Sequence, residues 1–124
     1  MRAIIALLRI FWNVITLKET GLANPNHIDI VAEDIAAKKL VLIMTEHRKW
    51  DGDNMRRQFL EKVKAYTNYV LSNKFADDWK KYRISDVIFK LDSAHKPDNE
   101  TISLFDKVNA DLSEHGIEFC YEVC

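Results

Sequence analysis

The stretch from Leu40 to Ser72 constrains this chain more than any other. Leu40-Val41-Leu42-Ile43-Met44 is a continuous apolar run. It has the length of a strand and no polar alternation, so it predicts a central strand covered on both faces. Thr45-Glu46-His47-Arg48-Lys49-Trp50 and the turn Asp51-Gly52-Asp53 follow. Beyond them Met55, Phe59, Val63, Tyr66 and Val70 recur on one helical face. A buried strand feeding an amphipathic helix calls for a sheet with a helical layer laid on it. Asp53 is the expected helix cap, with Asn54 as the alternative. Ser72-Asn73-Lys74 is the expected helix end, with Asn73 in a left-handed conformation.

The remaining elements complete that plan. Asn24-Pro25-Asn26 is a turn signal. His27 to Ala32 alternates, with Ile28, Ile30 and Ala32 on one side and His27, Asp29 and Val31 on the other, which predicts a half-buried strand. Its short link to the next strand favours an antiparallel hairpin. Phe75 to Arg83 is a polar-aromatic connection. Ile84 to Leu91 is a strand with Val87, Phe89 and Leu91 on one side. A second helix opens at Pro97-Asp98, carries Ile102, Phe105, Val108 and Leu112 on its apolar stripe, and closes at His115-Gly116. Ile117 to Val123 alternates as a last strand. The expected fold is therefore α+β: a two-layer sandwich with an N-terminal helix, then β-β-α-β-α-β. Its four-stranded mixed sheet carries the helices on one face. Residues 24–124 are the expected single domain.

Residues 1–20 stand apart. Ala3 to Leu17 is apolar except for Arg9, Asn13 and Thr16, and on a helix Arg2, Arg9, Asn13, Thr16 and Thr20 fall on one stripe. An amphipathic helix with so wide an apolar face has several fates: packing on the domain or on a second copy, contact with a membrane surface, a secretory signal, or an upstream in-frame extension. It is too short and too interrupted by Arg9 to span a bilayer.

Composition narrows the function classes. With 18 Lys and Arg against 19 Asp and Glu, the net charge of −1 gives no general attraction to nucleic acid. The three glycines, Gly21, Gly52 and Gly116, are too scattered for a phosphate-cradling loop. Cys120 and Cys124, about 13 Å apart on an extended strand, are expected as free thiols in a reducing cytoplasm.

No chemical constellation stands out. Asp51-Gly52-Asp53-Asn54 opens like a calcium loop, but Met55, Arg56 and Lys62 occupy positions where that loop needs an oxygen ligand, glycine and glutamate. His115 with Cys120 and Cys124 lacks a standard zinc spacing and a fourth ligand. No serine has a nucleophile-elbow context, and no histidine marks Cys120 as a thiol catalyst. Trp79-Lys80-Lys81-Tyr82-Arg83 could stack bases, yet Asp77-Asp78 dilutes its charge. Catalytic residues, cofactor and metal are accordingly none.

Asn24-Pro25 with Ile28-Asp29, the apolar strand leading to Trp50, Leu60-Glu61-Lys62 with Tyr66, Tyr69-Val70 and Ser72, and Gly116-Ile117-Glu118-Phe119 together resemble a family of small uncharacterised bacterial proteins, a domain of unknown function. The resemblance runs from Leu22 to Val123. It implies no transferable activity, and residues 1–20 depart from its pattern.

The functional expectation is a small cytoplasmic, non-enzymatic binding protein acting through protein–protein contacts or self-association, in the manner of an immunity protein that neutralises a partner. Peripheral membrane contact through residues 1–20 is a further expectation. The candidate interface or pocket residues are Trp50, His47, Asp51, Asp53, Trp79 and Tyr82. The alternative is a small-molecule or hydrolytic enzyme with its site near Trp50 and Asp51.

Overall fold

The computed structural model describes residues 21–124 and, as backbone, the strand β1 (Leu7–Arg9). The fold is α+β. Strands β2 (Ile30–Asp34), β3 (Lys39–Glu46), β4 (Val87–Ser93) and β5 (Glu118–Val123) lie in that order in one mixed sheet. β2 and β3 form the expected antiparallel hairpin, with Ile30 opposite Ile43. β3, β4 and β5 are parallel, with Leu42, Phe89 and Phe119 side by side. Parallel neighbours need crossover connections. These carry α1 (Gly52–Val70) and α2 (Asn73–Asp78) between β3 and β4, and α3 (Asn99–Ser113) between β4 and β5.

All three helices pack on one sheet face. Phe59, Val63, Tyr66 and Val70 of α1, Phe75 of α2, and Phe105, Val108 and Leu112 of α3 meet Leu40, Leu42, Met44, Phe89, Leu91 and Phe119 in one core. Phe59 lies at its centre, edge-on to Phe105 at 4.9 Å and to Phe119 at 5.5 Å. Ala32, Val41 and Ile43 are buried on the opposite face, with Ile30 and Ile88 beside them. β3 is thus covered on both faces, as its unbroken apolar run predicts.

Four local expectations change. The strand expected from Ile84 begins at Val87, after a 3-10 turn over Ile84–Asp86. The first hairpin strand begins at Ile30, so His27 and Ile28 belong to the preceding loop. It is buried on both faces, with Val31 in the main core and Ala32 on the other side. Helix α1 starts at Gly52 with Asp51 in the cap position, and the side chain of Asp53 pairs with Arg56 within the first turn instead of capping. Asn73 is not left-handed. Ser72 ends one helix and caps the next, its hydroxyl accepting from the Phe75 amide at 3.3 Å, so Asn73 opens the short α2. A serine with a free acceptor satisfies an orphan helix amide, and that starts a new helix where a left-handed cap was expected. Gly116 takes its expected role at φ +83°, and the Ile117 amide returns to the Leu112 carbonyl at 3.1 Å.

The helix expected over residues 1–20 lies outside the described residues. Only Leu7–Arg9 is described, and there the backbone is extended, antiparallel to β2 with Leu8 opposite Ala32. The free edge of β2 offers the backbone hydrogen bonds that such a segment needs.

Candidate functional site

The six residues singled out from sequence divide between opposite ends of the sheet. Trp50, His47, Asp51 and Asp53 follow the C-terminal end of β3. Trp50 is half-buried, its indole N–H donates to Ser93 Oγ at 2.9 Å, and its ring stands edge-on to Phe105 at 5.7 Å. Ser93 in turn donates to the His95 carbonyl at 2.6 Å. The indole therefore ties the α1 entry to the end of β4. His47, Asp51 and Asp53 are exposed around it. Trp79 and Tyr82 sit before β4, near the β2–β3 turn. Trp79 is buried in the core, and Tyr82 donates its hydroxyl to Glu33 Oε1 at 2.9 Å.

The strongest polar constellation is one that the sequence did not single out. Lys62 lies on α1 among Phe59, Val63 and Tyr66, and its side chain and that of Asp29 are both fully buried. Its ammonium donates to Asp29 Oδ1 at 2.8 Å, the Gly21 carbonyl at 2.7 Å and the Asn24 carbonyl at 3.1 Å. An ammonium has three N–H donors, and here all three are used. Asp29 Oδ2 accepts from the amides of Gly21 at 3.2 Å and Thr45 at 2.9 Å, and from the Thr45 hydroxyl at 3.3 Å. Tyr66 closes the cluster: its hydroxyl accepts from the Asp29 amide at 3.1 Å and donates to the Ile43 carbonyl at 3.2 Å.

Burial pushes the Lys62 pKa down and outweighs the opposing pull of Asp29. Burial, with the Asp29 charge, holds the Tyr66 phenol well above its ordinary value. A base or nucleophile needs a free lone pair and access to substrate. Lys62 has neither, so the cluster acts as a staple that fastens residues 21–29 to α1 and the end of β3.

A second staple adjoins it. Glu46 accepts from the Leu22 amide at 3.2 Å, the Arg48 amide at 2.9 Å and the Arg48 guanidinium at 2.8 and 2.9 Å. Burial raises the Glu46 carboxyl, but these hydrogen bonds outweigh it and hold its pKa below the ordinary value. Asn24, Asp29, Lys62 and Tyr66 were among the residues carrying the family resemblance. Their places in the staple explain that pattern structurally.

Two surface clefts involve the candidate residues. One of about 460 Å³ is lined by Ile35, Lys38, Lys81, Tyr82, Arg83 and Asp86. A wide, open one of about 500 Å³ lies between α1 and α3, where Asp53, Arg56, Leu60, Leu104 and Lys107 meet. Among the described residues, no group of three or more His, Cys, Asp or Glu is placed to hold a metal ion. Among the same residues, no helix is long and apolar enough to cross a membrane. Cys120 is half-buried and Cys124 exposed, and both are free thiols.

Comparison with known proteins places most of the chain. The sequence model of a family of unknown function, DUF6572, matches residues 20–124. No curated protein and no solved structure matches.

Proposed function

The chain belongs to DUF6572, a family of unknown function, and from that premise we propose that it is a small non-enzymatic binding protein acting through protein–protein contacts. The observation that carries this reading is the closed state of its strongest polar cluster. Lys62 and Asp29 are wholly buried and spend their hydrogen bonds on the chain's own backbone and on each other. Their chemistry is turned inward. What the fold turns outward is apolar side chains set among charges: Leu60 is 43% exposed between Arg56, Arg57 and Glu61, and Ile35 is 51% exposed beside the lysines of the β2–β3 turn. Apolar anchors with charged rims are the make-up of protein interfaces. Neutralising a partner, as an immunity protein does, is the form of binding we favour, with free thiols suiting a cytoplasmic setting.

The test is affinity capture with the tagged full-length chain from its native host, followed by calorimetry with the purified captured protein. A stoichiometric complex of defined affinity is the expected result. Capture of no partner, together with turnover of a metabolite in an activity screen, overturns the reading and returns attention to Trp50 and Asp51.

A further inference from the structure

We infer that the cleft between the β2–β3 turn and the start of β4 binds an acidic peptide segment of a partner protein, with an apolar side chain seated between its charges. This rests on the protein-binding reading above and names the chemistry of the partner.

Several observations converge there. Lys38 and Arg83 line the cleft from separate chain segments, and neither side chain has a carboxylate partner among the described residues. The acids near them are Glu33 and Asp86. Glu33, buried beside the cleft, accepts from the Tyr82 hydroxyl and pairs with Lys81 at 2.9 Å, while Asp86 Oδ2 accepts from the Arg83 amide at 2.9 Å and keeps its charge, so Lys38, Lys81 and Arg83 outnumber these two acids. Lys39 adds a further cation nearby, its ammonium on the Ser85 carbonyl at 3.2 Å.

Lys38 is also the one non-glycine among the described residues with a left-handed backbone, at φ +57°. Asp34 fixes this turn by accepting from the Ala37 amide at 3.0 Å. Glycine or asparagine would occupy such a position without strain, whereas a lysine there puts a cation at the cleft at a conformational cost. Between the cations, Ile35 and Tyr82 supply an apolar wall. An excess of cations flanking an apolar wall complements a carboxylate-bearing peptide with an aliphatic anchor.

Single-stranded nucleic acid fits less well. It needs open aromatic faces on which bases stack. Trp79 is buried at 7% exposure, and Tyr82 is held by Glu33.

The probe is a fluorescein-labelled Glu-Leu repeat peptide, titrated with the full-length chain by anisotropy. A Gln-Leu repeat and a labelled oligothymidylate are the comparisons. Binding of the Glu-Leu peptide that weakens with salt is expected, and Lys38→Glu or Arg83→Glu should each weaken it about tenfold. Lys107→Glu, on α3, should leave it unchanged. Lys38→Gly separates binding from folding: it should weaken binding while raising the thermal midpoint, because glycine relieves the left-handed strain. The assignment is overturned by an absence of binding, by equal binding of the Gln-Leu peptide, by tighter binding of the oligothymidylate, or by an equal loss in Lys107→Glu.

Capture with the Lys38→Glu/Arg83→Glu chain tells the two proposals apart. If it still retains a partner that the wild-type chain captures, the cleft assignment falls and the protein-binding reading stands. If the wild-type chain captures nothing and turns over a metabolite, that reading falls and the peptide titration alone decides the cleft.

Discussion

Replacing Lys62 by methionine removes the cation from a site where both charged side chains are fully buried. Methionine keeps most of the volume, so the cavity contribution is small and the electrostatic one dominates. Asp29 Oδ1 loses its counterion while Oδ2 keeps the Gly21 and Thr45 donors. The freed carbonyls are not stranded: Gly21 O still accepts from Asn24 N at 3.2 Å and Asn24 O from His27 N at 3.4 Å. The cost is therefore that of one uncompensated buried charge, about 3–5 kcal/mol. The double variant Lys62→Met/Asp29→Asn removes that charge and leaves an amide oxygen to accept from Gly21 and Thr45. It should recover about 2 kcal/mol of the loss. Urea unfolding monitored by tryptophan fluorescence reads both numbers, as shifts in midpoint at constant slope. A single variant within about 1 kcal/mol of wild type, or a double variant no better than the single, would refute the staple.

Glu46 has its pKa lowered on folding, so its contribution is present above the unfolded value of 4.5 and lost as pH falls through the folded one. Stability should drop more steeply below pH 4.5 in wild type than in Glu46→Gln, as read by chemical denaturation across that window. Phe59→Ala and Phe105→Ala, at 0% and 2% exposure, should each cost about 3–5 kcal/mol in a denaturant melt, and a near-neutral result for either would contradict the core assignment. Burial, then the Glu118 charge, pushes the Cys120 thiol up. Alkylation of a Cys124→Ser chain by iodoacetamide at pH 8 should therefore run several-fold slower than that of a model thiol, with mass spectrometry as the readout.

Periodicity along the chain was enough for the architecture. The 3.6-residue recurrence of Met55, Phe59, Val63, Tyr66 and Val70 and the unbroken run from Leu40 to Met44 each state which surface must be buried, because burial is a local demand on side-chain chemistry. Gly116 at a helix end carries its left-handed conformation in its identity. Ser72 and Lys38 do not. Whether serine stops a helix or starts one, and whether a lysine turns left-handed, depends on which backbone groups the surrounding fold leaves unpaired.

The same limit hid the staple. Lys62 looks in sequence like a polar residue at the margin of an apolar stripe, and Asp29 like the polar half of an alternating strand. Only the hairpin, the crossover and the packing of α1 on the sheet bring these two charges, 33 residues apart in the chain, to within 2.8 Å. An ion pair is a relation between two positions in space, and hydrophobic periodicity carries information about one face at a time.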